Sequence, residues 1–398
     1  MAKEEKNETA KKVKAKDVQR GVWNPETLSE IRYKAETGKH RIRGCGATIR
    51  FPNFDDLLIL PSQLSRLSID TYREDCKTQT VLGARFAKKP LVIETPIMIS
   101  GMSYGALSKE AKTALAKSTQ IVGTSINNGE GGLLPEESEN SFKQVVQITP
   151  SRMGFSLRNI EAADAIEIIC GIGAKPGLSG HLMGSKITKE IAAFRQLPEG
   201  IDLHSHPRHG DIFGADDMVL KIQELRDVTD WQIPIFVKIA AGRVKEDVKI
   251  AAKTGADGIV VDGSEGGTGA APVMASTHLG IPTLPALVQA VRALEEMGVR
   301  QEVSLIVSGG IKDGSDVAKA LALGADAIAV SNSALQAIGC LGMRACHTNN
   351  CPVGIATQNP HLRQRLKIEK GAEQLNNFFR ASTELMQVMA RACGHDHL

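Results

Sequence analysis

The chain has 398 residues, of which 42% are hydrophobic and 23% charged, and no apolar run approaches the ~18 residues of a membrane span; this predicts a soluble globular protein. Subtracting 45 acidic from 48 basic residues leaves +3, which argues against a nucleic-acid partner held by phosphate neutralisation. The 38 glycines, set against only 4% aromatics, point to tight turns and close backbone approach to a ligand.

Seven cysteines are too sparse for a disulfide framework, and the N-terminus has no secretory apolar stretch, so a reducing cytoplasm is expected. Residues 1–20 mix Lys and Glu without apolar periodicity, the pattern of a mobile basic tail or a solvated helix. Residues 21–94 are an N-terminal extension expected to pack on the bottom or side of the domain that follows. From residue 95 onward, short runs of Val, Ile and Ala alternate with helical patterns and glycine turns. Eight strands are predicted, at 96–101, 120–124, 145–149, 165–170, 235–239, 258–262, 304–309 and 327–331. They specify a (β/α)8 TIM barrel over 95–398. Helices are predicted at 313–323 and 369–392. A long insertion at 171–214, between the fourth and fifth strands, belongs on the active face.

Strand seven runs into Gly309-Gly310, and strand eight into Ser331-Asn332-Ser333. In barrels this pair of loops commonly binds phosphate through backbone N–H groups; the alternative is that the glycines make short turns only. Strand six ends in a loop containing Gly266-Gly267-Thr268-Gly269, either a backbone platform for a planar ring or a flexible lid. Lys238 stands within an apolar strand, where an unpaired ammonium is costly. It either meets an anion or electron-rich ring, or snorkels outward.

Cys340, Cys346 and Cys351 follow strand eight with five and four residues between them, inside a loop at 340–354. Their thiolates suit an iron–sulfur cluster; a Cys3His zinc site using His347, or three buried thiols, are the alternatives. Cys45, Cys76, Cys170 and Cys393 have no partner at ligand spacing and are expected to be packing residues. His204, His206 and His209 lie in one loop without an obvious carboxylate, which suits a substrate-facing or solvated loop better than a metal site.

Five segments, in order, resemble the synthase domain of glutamate synthases: 96–106, Asn128 to Gly132, Gly173 to Gly177, Gly266 to Ala270 and Cys346 to Gly354. The likeness covers roughly residues 50–366, and the segment before the barrel resembles stand-alone members such as the flavin subunit of N-methylglutamate synthases. It implies FMN bound in the barrel, lined by Met102, Ser103, Asn128 and the Gly266–Gly269 loop. Lys238 would face the flavin, and Gly309, Gly310 and Ser333 would hold its phosphate. A three-iron, four-sulfur cluster on the three cysteines is implied too. Lys175, Lys238, Glu130 and His181 become the expected catalytic residues, with Lys175 pairing a substrate carboxylate. His181 stands where typical members have Gln, a departure that bears on the substrate.

The implied reaction passes electrons through the cluster to FMN and reduces an imine of 2-oxoglutarate to glutamate. Rival readings are N-methylglutamate synthase chemistry with methylamine in place of ammonia, an IMP-dehydrogenase-like barrel, and a non-catalytic electron-transfer subunit. Separate amidotransferase and β-helix subunits, and an electron donor such as ferredoxin or an NAD(P)H-linked flavoprotein, are the expected partners in a hetero-oligomer.

Overall fold

The computed structural model describes residues 23–42, 44–71 and 73–398; the expected tail at 1–20 lies outside them. The chain divides after Ile42 into two units. In the first, the helix Pro25–Thr37 follows from its ends. The Asn24 side chain accepts from Thr27 N at 2.9 Å, Pro25 fits the first turn, and Gly38 closes the helix in a left-handed conformation.

The second unit, 43–398, contains the barrel. Its first paired strands are a hairpin of β1 (Thr80–Leu82) and β2 (Leu91–Ile93). There follow β3 (Ile97–Ile99), β4 (Ser125–Asn127), β5 (Lys143–Ile148) and β6 (Ala165–Ile169). The 171–214 insertion then carries a two-stranded ribbon of β7 (His181–Leu182) and β8 (Leu203–His204). The last strands are β9 (Ile235–Ala240), β10 (Gly258–Asp262), β11 (Ser304–Ser308) and β12 (Ala327–Val330). A closed parallel barrel forms in the order β3-β4-β5-β6-β9-β10-β11-β12, the TIM-barrel architecture.

The hairpin shows what the extension is for. Leu82, Leu91 and Ile93 are buried among Met98, Val145, Phe236, Val260 and Ile306, the apolar residues that fill the lower barrel. Gly83 N donates to Ser304 Oγ and Phe86 N to Asp257 Oδ1, both at 2.9 Å and both at the beginning of a barrel strand. The hairpin therefore plugs the N-terminal end, and the C-terminal end is left to polar side chains.

The second predicted strand, 120–124, is a correction. The helix Lys109–Val122 starts on Ser108, whose side chain accepts from Ala111 N, and runs through Ile121 and Val122 to a left-handed Gly123. The β-branched pair gave a strand-like pattern, but the serine and glycine caps fix a helix, and β4 begins two residues later. The other predicted strands overlap the observed ones. The helix Ile368–Ala392 buries Ala372, Leu375, Phe379 and Met386 on one stripe and packs on Lys109–Val122. No described helix is long and apolar enough to cross a membrane.

The long insertion is pinned back on the barrel by His209, which is buried and hydrogen-bonded through Nε2 to the Ile169 carbonyl at the end of β6, 2.7 Å away. Burial pushes its pKa below the ordinary value, against the pull of that carbonyl. Because the folded state disfavours the charged ring, this contribution is present above the unfolded pKa of ~6.5 and is lost as pH falls below it. The His209→Gln variant should be less stable than the parent by about 0.5–1.5 kcal/mol at pH 8. The gap, measured by urea unfolding, should narrow at pH 5.5; a constant gap would show that folding leaves the titration of His209 unchanged.

Candidate functional site

At the C-terminal end of the barrel the interior turns polar, and the arrangement centres on one buried cation. Lys238 on β9 is 3% exposed, with its Nζ 3.6 Å from Asp262 Oδ2 and 3.2 Å from Ser100 Oγ. Glu167 on β6 and Asp262 on β10 flank it from the two neighbouring strands. Burial works against the ammonium, but the Asp262 and Glu167 carboxylates outweigh it and hold the Lys238 pKa above its ordinary value. The carboxylates are held in turn. Asn127 Nδ2 and Gln147 Nε2 donate to Glu167 Oε1 at 2.9 and 2.6 Å, and Ser308 Oγ donates to Asp262 Oδ1 at 2.6 Å. Lys238 thus faces inward, and the snorkelling alternative falls away.

Above this layer lies a cavity of about 730 Å³, and most of the sequence-predicted residues line it. Lys175, in the insertion, donates from Nζ to Ser205 Oγ at 3.2 Å, a serine that also accepts from Gly180 N. Burial pushes the Lys175 pKa down; the Arg195 guanidinium adds to this and Glu130 opposes it. Glu130 reaches the same wall, with Oε1 accepting from Ser151 Oγ at 2.8 Å. Arg195 was not expected. It is 2% exposed and its described hydrogen bonds go to the Tyr104 and Glu130 carbonyls, so a second cation with no ion-pair partner among the described residues borders the cavity beside Lys175. Nothing in its local sequence, a polar helix end, marks it.

His181 lines the cavity as well, but its ring is engaged on the ribbon. Nε2 sits 2.8 Å from Asp202 Oδ2, and the imidazole stacks on His204 at 4.4 Å between centroids. The histidine loop therefore resolves into separate tasks: His204 stacks, His206 borders the cavity, and His209 anchors the insertion.

Met102 and Ser103, after β3, form part of the wall. Asn128 does not: it is 1% exposed and lies behind the lining, with Oδ1 accepting from Gln147 N at 2.7 Å. Its Nδ2 has no hydrogen-bond partner among the described residues. The loops after β3 and β4 are tied by Lys112, whose Nζ donates to the Met102 and Asn128 carbonyls at 2.7 and 3.1 Å and lies 2.9 Å from Glu137 Oε1. Both partners of this ion pair are at most 1% exposed, and desolvation pushes each towards its neutral form.

Gly309 and Gly310 border the cavity in left-handed conformations, φ 108° and 71°. A Cβ on Gly309 would stand 2.8 Å from the Gly263 carbonyl oxygen, so the backbone approach excludes a side chain. On the same cavity Ser333 Oγ is buried with no hydrogen-bond partner among the described residues. The Gly266 to Gly269 loop also lines the cavity, yet its glycines have a nearer reason. A Cβ on Gly267 would lie 2.6 Å from Gly46 N, and one on Gly269 3.1 Å from Cys346 backbone carbon. Three backbone segments meet there, with no room for a side chain at 267 and a tight fit at 269.

Those segments bring the cysteines together. Cys340, Cys346 and Cys351 line the same cavity and lie within electrostatic reach of one another. Cys45, expected to be a packing residue, stands with them and shares a thiol hydrogen bond with Cys346 that, with burial, raises the Cys346 pKa. Buried Lys186 donates to the Cys346 carbonyl at 3.0 Å, a cation against the thiol group. Soft donors beside a buried cation fit an anionic iron–sulfur cluster. Among the described residues no group of three His, Cys, Asp or Glu is drawn together as a ready metal site.

Over residues 50–396 the sequence matches a family model described as a conserved region in glutamate synthase. A glutamate synthase large subunit-like protein of Rhizobium meliloti is 46% identical over 388 residues, covering 94% of this chain and 88% of the relative. An archaeal glutamate synthase (NADPH) of Methanocaldococcus jannaschii is 37% identical over 404 residues, covering 94% and 78%. Among solved structures, a mandelate oxidase variant carrying a monooxide FMN adduct shares the fold, with a TM-score of 0.54 at 19% identity over 96% of both chains.

The Lys112–Glu137 pair offers a test of how the wall is held. Lys112→Met leaves a buried carboxylate uncompensated and should cost about 3–5 kcal/mol of unfolding free energy at neutral pH. Lys112→Met with Glu137→Leu should recover most of that loss. Equal losses in the single and double variants would show that the lysine matters through the Met102 and Asn128 carbonyls alone.

Proposed function

The chain belongs to the glutamate synthase family, and from that footing we propose an FMN- and iron–sulfur-dependent oxidoreductase that reduces an imine of 2-oxoglutarate to glutamate. The observation that carries this reading is a single cavity bordered by Lys175, Lys238, the Gly309-Gly310 loop and the cysteine loop. FMN, when bound, supplies two-electron reducing chemistry that no side chain offers, and a cluster passes electrons singly.

The chain's own residues bind, orient and compensate charge. Gly309, Gly310 and Ser333 would hold the phosphate, the serine with a hydroxyl that has no partner among the described residues. Lys238 would stabilise negative charge on the reduced ring, and its flanking carboxylates keep it charged before any ligand arrives. Lys175 would pair with a substrate carboxylate, beside the second cation Arg195. Glu130, fixed by Ser151, would exchange a proton with the amine. Relatives named as NADPH enzymes support NADPH as the ultimate reductant, delivered through ferredoxin or a flavoprotein subunit. The amine would come from solution or from a separate amidotransferase subunit.

One observation favours N-methylglutamate chemistry as a second reading. At the position where typical members carry Gln, His181 is held by Asp202 and stacked on His204, so it presents the substrate with a different surface.

Denatured protein should release FMN, and release of another nucleotide would contradict the reading. Lys175→Ala should lower kcat/KM for the keto acid ten- to a hundredfold, the ~1.5–3 kcal/mol of one charge-assisted contact, with the flavin spectrum unchanged. Assays with chemically reduced protein bypass the donor. His181→Gln should shift preference from methylamine towards ammonia, and an unchanged preference would remove His181 from substrate choice.

A further inference from the structure

We propose that His181 is the general acid that expels water during imine formation, with Asp202 and His204 as its positioning residues. The inference rests on the proposed reductive amination and gives that site a second proton-transfer group. The amine must lose a proton while the departing hydroxyl must gain one, so Glu130 serving the amine leaves the hydroxyl in need of a donor.

Three observations place it. His181 on β7 and His204 on β8 are register partners, and their rings stack at 4.4 Å with 13° between planes. Asp202, just before β8, has Oδ2 2.8 Å from His181 Nε2, while its Oδ1 accepts from Gly184 N at 2.7 Å. The Gly184 N–H and then the His181 ring hold the Asp202 pKa below its ordinary value, so the carboxylate is charged at neutral pH. The cluster also spans the cavity wall. The His181 side chain borders the 730 Å³ cavity and is 21% exposed, whereas Asp202 is 53% exposed and lies outside the lining with His204. The ribbon is tied down beside it: His181 N donates to the Ala270 carbonyl at 2.7 Å, and Ser205 N to the Gly180 carbonyl at 2.9 Å. Lys175, Arg195 and His206 of the insertion, and Glu130 after β4, share the cavity wall with the ring; Asp202 and His204 touch it.

Chemistry then assigns the atoms. An ionised carboxylate can only accept, so Nε2 carries a proton towards Asp202, and Nδ1 is the nitrogen that gains and loses one. Asp202 thereby fixes the tautomer and orientation of the ring. Addition of ammonia or methylamine to C2 of the keto acid gives a carbinolamine. The His181 imidazolium passes its Nδ1 proton to the hydroxyl, and the C2–O bond breaks. Water leaves with the bonding pair, and the nitrogen lone pair closes the C=N bond of the iminium. The ring takes its next proton from solvent, and no oxidant or reductant enters the step.

Anaerobic single-turnover reoxidation of chemically reduced protein by keto acid and amine tests this. His181→Ala should slow it about a hundredfold, lose the fall in rate that the parent shows as pH rises through the histidine range, and regain part of the rate with added imidazole. Asp202→Asn should slow it about tenfold at pH 8 by moving that fall to lower pH, because the variant lacks the charge that compensates the imidazolium. Independently of turnover, histidine-ring nitrogen NMR should show neutral His181 protonated at Nε2 in the parent and divided between tautomers in Asp202→Asn. Variants that retain FMN and reproduce the parent's rate and pH profile would overturn the role of His181 and leave reductive amination standing. Slower variants with the profile unmoved and no response to imidazole would make the cluster structural and overturn it as well. A parent whose reduced flavin is not reoxidised by keto acid and amine would overturn the reductive-amination reading itself.

Discussion

A charged lysine in the middle of a parallel barrel is the constraint around which the rest of the site is organised. Lys238 is enclosed, and an ammonium there persists only because Glu167 and Asp262 stand on the strands to either side. Those carboxylates need donors of their own, which Asn127, Gln147 and Ser308 supply. Every barrel strand that contributes to this layer commits an inward position to it, so the apolar core is displaced to the N-terminal half. There the β1–β2 hairpin completes it with Leu82, Leu91 and Ile93. The extension is thus part of the cost of a polar active end.

The second organising feature is backbone stacking. The 44–46 segment and the loop after β10 approach so closely that position 267 has no room for a side chain, and position 269 lies tight against the cysteine loop. This fixes the cysteines against the wall of the cavity in which Lys238 and Lys175 lie. In the proposed function the arrangement places electron entry and imine reduction in one enclosure, with the substrate cations on the insertion and the flavin cation on the barrel. The insertion remains a separately anchored element, held through His209 and the β7–β8 ribbon.

Much of this was legible in the sequence, for identifiable reasons. Strands buried on both faces leave dense apolar runs between glycine turns, and the barrel follows from counting them. Where β-branched residues continued a helix, at 120–124, the pattern misled, although Ser108 and Gly123 bracketed the helix in plain view. Lys238 stands out as a charge within an apolar strand, and Glu167 carries the same signal in Ala165–Ile169 and answers it from the neighbouring strand. Asn128 was placed on the cavity wall by resemblance, and lies one layer behind it because its amide serves Gln147. Arg195 and Cys45 had no local signature at all. Each matters through neighbours remote in sequence, and only the closed barrel brings them there.

In the proposed function Lys238, kept charged by its carboxylate neighbours, would stabilise the reduced form of a flavin held in this cavity. The flavin midpoint potential of Lys238→Met, measured by anaerobic spectroelectrochemistry on protein that retains FMN, tests it directly. The potential should fall relative to the parent, by about 30 mV for each tenfold loss of preference for the two-electron-reduced ring. An unchanged potential with FMN in place would contradict it and would leave Lys238 as a structural counter-charge for Glu167 and Asp262.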